Sequence, residues 1–205
     1  MLFRSDVNGD ALDSEAYLAA ELNADTYTFK NVTKVDGDET IWYRELREQP
    51  VLVVGIGYQK LAETDEEKER QDEWLKFLNR AINAKKDDFV ILLVNDYIDE
   101  KGELTEFGKL IEEELVKHNE NVRLILCGNA NGAATWEKYY GGRKVTALMY
   151  NYIADAENGL GFLRILTFNS KDQTITIDTV NPFTDATEYD KEHPEKDHFV
   201  IEEAF

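Results

Sequence analysis

Cysteine occurs once in this chain, as Cys127, so an internal disulfide and any cysteine-built metal cage are excluded. It closes an apolar stretch, which makes a buried structural thiol the stronger reading. Histidine is also scarce, at three residues. His118 falls at a helix end, while His193 and His198 fall in an acidic tail, and all three read as surface residues. Positive charge is in short supply: 23 Lys and Arg face 42 Asp and Glu, a net charge of -19. Such a field repels nucleic acid backbones and anionic membrane surfaces, so no nucleic acid and no membrane partner is expected. It also gathers divalent cations loosely, with solubility as the simpler account of the excess. No apolar run approaches the roughly 20 residues that span a bilayer. Met1 to Asp10 lacks the basic start and apolar run of a signal peptide. The chain as written is therefore expected to be soluble and cytoplasmic, or to be a fragment of an exported protein.

The 205 residues, 42% of them hydrophobic, can bury a sizeable core and read as a single domain over 1–205. Within it, 1–50 reads as a lead helix and hairpin, 51–184 as the core and 185–205 as an acidic tail. The lead helix is expected near Glu15 to Ala20, capped by Asp13 or Ser14. Asp6 to Asp10 has the alternating oxygen ligands of a calcium loop, but its glycine is misplaced and Tyr17 stands where a closing Glu belongs, so it reads as a turn. Thr26–Lys30 and Thr40–Arg44 alternate and flank Asp36-Gly37-Asp38, predicting a hairpin.

Behind Pro50, Val51 to Gly55 is a fully apolar strand leaving through Gly55-Ile56-Gly57-Tyr58. A lone Gly-x-Gly is better explained by a tight strand exit than by nucleotide binding. Thr64 and Glu67 form a capping box, and Trp74, Phe77, Leu78, Ala81 and Ile82 share one helical face. Val90 to Val94 is the next strand, a helix over about Thr105 to Lys117 follows, and Val122 to Cys127 is a third strand. This alternation predicts an α/β fold with a parallel βαβαβ core and right-handed crossovers. Lys144–Tyr150, Gly161–Phe168 and Thr174–Val180 then read as antiparallel strands, and Phe199-Val200-Ile201 as the anchor of a surface tail.

The strand ends say where chemistry belongs. Val94 runs into Asn95-Asp96-Tyr97, and Cys127 into Gly128-Asn129-Ala130-Asn131-Gly132. Short polar groups at the carboxyl ends of parallel strands are where open α/β sheets build their sites. Gly57, Tyr58, Gly128 and Tyr152 are the candidates for lining such a cleft. Other chemistry has little support. Ser5, Ser14 and Ser170 lack a strand-elbow context, and Trp42, Trp74 and Trp136 read as core or partner-facing aromatics. Tyr139-Tyr140-Gly141-Gly142-Arg143 reads as a surface hairpin turn.

Leu124 to Gly128, Ala147 to Tyr152, Gly159 to Phe168 and Asn181 to Asp185 together resemble, in order, the carboxyl-terminal half of calcineurin-like metallophosphoesterases. That resemblance implies half of an αββα sandwich and a site for two divalent metals (Mn, Fe or Zn) that activate a bridging water. The family's Gly-Asp-x-His and Gly-Asn-His motifs do not occur, and its bare Gly-Asp pair occurs as Gly9-Asp10 and Gly37-Asp38, within the turn and the hairpin read above. At the carboxyl-terminal metal positions the resemblance implies histidines where this chain carries Asn95 (followed by Asp96) and Asn129, and a second His or an Arg where it carries Asn131. An Asn amide does not replace imidazole for transition metals. No metal or other cofactor is therefore expected, and no catalytic residue is assigned.

Three readings follow. One is a non-catalytic or incapacitated phosphoesterase fold, a pseudoenzyme acting by binding or as part of a larger assembly. Another is a metal-dependent phosphoesterase, a hydrolase with an atypical or partner-completed site. The last is an engineered derivative, to which Glu- and Lys-dense, well-capped helices and the neutral Asn replacements also point. A half-fold leaves a sheet edge bare, so a homodimer, a protein partner or the segment Met1 to Arg44 is expected to cover it.

Overall fold

A computed structural model describes residues 32–36, 39–46, 49–56, 61–152 and 161–205, as backbone alone before residue 50. The expected lead helix, the turn at Asp6 to Asp10, the strand Thr26–Lys30, and Gly57 and Tyr58 lie outside the described residues. The strands are β1 (Val32–Asp36), β2 (Glu39–Leu46), β3 (Gln49–Ile56), β4 (Phe89–Val94), β5 (Val122–Cys127), β6 (Gly132–Tyr140), β7 (Arg143–Asn151), β8 (Leu163–Asn169), β9 (Thr174–Val180) and β10 (His198–Ile201). Helix α1 spans Asp65–Asn83, and α2 spans Glu106–Ile111 before continuing as a π-helical turn over Glu112–Val116.

The strands form a seven-stranded sheet in the order β1-β2-β3-β4-β5-β7-β6 and a three-stranded sheet in the order β10-β9-β8. In the first, β3, β4, β5 and β7 run parallel and the outer strands antiparallel, while the second is wholly antiparallel. The chain is thus an α/β protein with a mostly parallel core.

Each strand of the core serves two faces because side chains alternate. Leu52, Val54, Val90, Leu92 and Ile125 join the cluster that includes Trp74, Leu78 and Ile82 of α1 and Phe107, Ile111 and Leu115 of α2 and its continuation. Val51, Phe89, Ile91, Leu93, Leu124 and Leu148 join Ile175, Ile177 and Ile201 of the small sheet. Helices, large sheet and small sheet therefore stack as three layers, which explains why β4 is buried along its whole length.

Helix α1 begins where the sequence places it. Thr64 accepts from the Glu67 amide while the Glu67 carboxylate accepts from the Thr64 amide, a complete capping box. Thr105 caps α2 by accepting from the Gly108 amide at 2.9 Å. Gly108 is required there: a Cβ would stand 1.9 Å from the Tyr97 carbonyl oxygen, so the helix backbone lies directly on the chain leaving β4.

Three expectations need correction or refinement. The strand around Lys144 to Tyr150 does not pair with the later strands. It is β7, which lies parallel to β5 and antiparallel to β6 within the large sheet. The reason is burial: Arg143 to Met149 are all buried, and a strand covered on both faces belongs inside a sheet between layers. Its hairpin partner β6 has exposed Thr135, Glu137, Lys138 and Tyr139, lacks a clear apolar alternation and suits an outer strand. Gly141 and Gly142 make the tight turn between them at φ 58° and 91°, as the Tyr-Gly-Gly-Arg stretch suggests. Finally, the tail does dock through β10 on β9, but it also carries a buried carboxylate, Asp197, which accepts from the Tyr189 and Asp190 amides.

Strand β2 pairs with β3 along its full length, from Glu39 opposite Ile56 to Leu46 opposite Gln49. The edge of β3 is therefore covered by the chain's own preceding hairpin.

Candidate functional site

Because β3, β4, β5 and β7 run parallel, their carboxyl ends lie along one rim of the sheet. The loops after β4 and β5 are tied there through the backbone. The Asn95 carbonyl accepts from the Asn129 amide at 3.1 Å and from the Gly128 amide at 3.4 Å. Gly128 passes close to β7, where a Cβ would meet the Tyr150 carbonyl at 3.3 Å. From β7 the Asn151 side chain donates to the Asn129 carbonyl at 3.5 Å. The Asn95 carbonyl, the Asn129 amide and carbonyl and the Asn151 side chain thus link three parallel strand ends along one rim.

Asp96 is the carboxylate of this rim. It is half-buried, and loss of hydration raises its pKa above the ordinary aspartate value, opposed by a hydrogen bond with the Asn129 side chain and reinforced by Asp99. Its own carbonyl accepts from the Thr105 hydroxyl at 2.9 Å, coupling the rim to the start of α2. Asn131 is exposed at the start of the chain into β6. Of the sequence-selected residues, Asn95, Asp96, Gly128 and Asn129 come together and Asn131 stands just beyond them.

Tyr152 extends the rim toward the tail. Its ring stacks on Tyr189 at 3.8 Å and meets Tyr150 edge-on at 5.2 Å. The Arg164 guanidinium of β8 lies 4.2 Å over the Tyr150 ring, and burial pushes the Tyr150 hydroxyl up to about 12. Burial also pushes the Cys127 thiol up to about 11, so it is a packed thiol and a poor nucleophile.

Asn151, Arg164 and Tyr189 escape selection from sequence. Asn151 repeats the signal of Asn95 and Asn129, an apolar strand running into Asn, but that signal has meaning only once β7 is known to be parallel to β5. Tyr189 comes from the tail, 37 positions beyond the Tyr152 it stacks on.

The donors do not suit manganese, iron or zinc. They are neutral amides and one carboxylate, and Asp96 is engaged with Asn129. Among the described residues no group of three or more His, Cys, Asp or Glu side chains is placed to hold a metal ion. The three histidines are exposed and lie away from this cluster in the chain. His198 pairs with Asp178 at 3.2 Å and with the Thr187 carbonyl at 2.7 Å, and His193 pairs with Glu195. No described helix is long and apolar enough to cross a membrane.

No protein-family model matches the chain. Among curated proteins, an uncharacterized protein, YvnB, of Bacillus subtilis (strain 168) is 28% identical over 139 residues. The match takes in 63% of this chain and 11% of the relative's length, so the chain is similar to a small part of a much longer protein.

Proposed function

We propose that this chain is the carboxyl-terminal half of a calcineurin-like phosphoesterase fold, catalytically incapacitated and acting by binding or as one part of a larger assembly. The observation that carries this reading is the meeting of Asn95, Asp96 and Asn129 at adjacent parallel strand ends, at positions to which the resemblance assigns metal-binding histidines. The small matched share of a long relative supports the assembly part of the reading. A protein partner, or a second copy of the chain, is part of the same proposal.

The test is metal analysis of the purified protein together with a generic phosphodiester assay. No stoichiometric manganese, iron or zinc is expected, and no metal-dependent turnover. Tight binding of two such ions, with turnover abolished by Asn129→Ala, would overturn the proposal in favour of a phosphoesterase with an atypical or partner-completed site.

A further inference from the structure

The opposite rim of the large sheet, where β4, β5 and β7 begin, holds a concavity of about 640 Å³. Its walls include Arg123, Asp88, Lys86, Arg143, Tyr140 and Phe205. We propose that it binds a small zwitterion of the α-amino acid class, with the ligand carboxylate held by the Arg123 guanidinium and the ligand ammonium by the Asp88 carboxylate.

The first ground is backbone geometry. Val90 pairs with Val122, but the next residue, Ile91, pairs with Leu124, so Arg123 is an extra residue in β5. Bulges are uncommon between parallel strands and re-aim a side chain. Val122 keeps to the helix layer and Leu124 to the small-sheet layer, so the bulge leaves both apolar neighbours in place while Arg123 lines the concavity.

The second ground is unspent charge. Arg123 is half-buried in an interior strand and has no ion pair or hydrogen bond among the described residues, although the chain carries 42 acidic residues. Loss of hydration lowers its pKa. It also sits near a second cation: the Arg143 pKa is lowered first by burial and then by the Arg123 charge. Arg143 is itself occupied, donating to the Asn119, Val122 and Val116 carbonyls.

Asp88 is the mirror case. It is half-buried and burial raises its pKa; its Oδ2 is sealed from solvent without a hydrogen-bond partner among the described residues, which leaves Oδ1 as the oxygen that a ligand ammonium can meet. Lys85 and Asp87 are the charges that act on it, so Arg123 and Asp88 line one concavity without neutralising each other. A fold gains nothing by desolvating two opposite charges separately, whereas a ligand bearing both counter-charges offsets both costs. The planar guanidinium suits a carboxylate, which it can grip through two parallel bonds. Asp87, Asp88 and Glu120 share the wall with Lys86, Lys117, Arg123 and Arg143, so the site offers both signs of charge, as a zwitterion requires. The volume lies within the range of small-molecule sites, roughly 300–1,000 Å³.

Titration of the full chain with L-leucine, glycine, acetate, methylammonium and inorganic phosphate, followed by calorimetry and amide chemical shifts, tests this. Leucine and glycine are expected to bind at least about tenfold more tightly than acetate or methylammonium, with shifts at Arg123 and Asp88. Arg123→Gln and Asp88→Asn are each expected to weaken binding about tenfold while thermal unfolding confirms that both variants fold. Acetate or phosphate binding as tightly as leucine, equal binding by Arg123→Gln, or no saturable binding of any amino acid would each overturn the proposal.

Discussion

The two rims of the large sheet use the same strands and spend polarity in opposite ways. At the carboxyl rim the polar groups are mostly neutral and tied together: the Asn95 backbone carbonyl with the Gly128 and Asn129 amides, the Asn151 side chain with the Asn129 carbonyl, and the Asp96 carboxylate with the Asn129 side chain. At the amino rim the groups are charged, and two of them, Arg123 and Asp88, are half-buried without a hydrogen-bonded partner for the guanidinium or the carboxylate among the described residues. A location that suits chemistry and residues that remain available for it are thus separate properties. The carboxyl rim has the favourable topology, while the unspent interaction capacity lies at the other end of the same strands.

The sharpest way to break the carboxyl rim is through its support. Gly108→Ala places a Cβ 1.9 Å from the Tyr97 carbonyl oxygen, in a position where two backbones must separate. A loss of about 3 kcal/mol in urea unfolding is expected, with amide shifts spreading to Asp96 and Asn129. A change under about 0.5 kcal/mol with an unmoved rim would show that α2 does not hold the loop after β4.

The amino rim offers a contrast between two arginines. Arg143→Ala leaves the Val116, Asn119 and Val122 carbonyls without their charged donor and is expected to cost about 2–3 kcal/mol. Arg123→Gln removes a cation that has no hydrogen bond or ion pair among the described residues and is expected to change stability by no more than about 0.5 kcal/mol. Comparable losses for the two would mean that Arg123 is structural, erasing the difference between the rims.

The smallest effect compares one aspartate from each rim. Burial raises the folded pKa of both Asp88 and Asp96 above the unfolded value. The folded state then binds the proton more tightly, so each contributes stability at low pH that is lost as pH rises through its folded pKa. Asp88→Asn and Asp96→Asn should each flatten this acid-side fall in the urea midpoint. Asp88→Asn should also leave the protein more stable at neutral pH, since no side-chain hydrogen bond among the described residues offsets the burial of its charge. Asp96→Asn should gain less, because it gives up the bond with Asn129. Equal behaviour across the pH series would refute that distinction.

Much of this was legible in the residues. The apolar runs of β3, β4 and β5, the capping boxed start of α1, its buried stripe of Trp74, Leu78 and Ile82, and the Gly141-Gly142 turn all rest on interactions within a few positions. The same holds for Asn95 and Asn129 meeting, since alternating strands and helices force parallel neighbours whose ends coincide. Asn151 was hidden, as its place depends on which strand lies beside β5. The π-helical turn at Glu112–Val116 was hidden too. There the buried Glu112 accepts from Tyr140 at 2.7 Å and pairs with Lys138, both distant in sequence.

By itself the sequence determined the elements, their caps and the parallel order of the first three core strands, because periodicity, capping and crossover handedness act locally or through chirality. Only the tertiary structure decided that β7 enters the large sheet, that the small sheet closes its second face, and that β5 carries an extra residue at Arg123. Strand register and layer stacking depend on the packing of side chains far apart in the chain. A one-residue bulge leaves the apolar pattern on both sides of it readable while changing what the residue between them can reach.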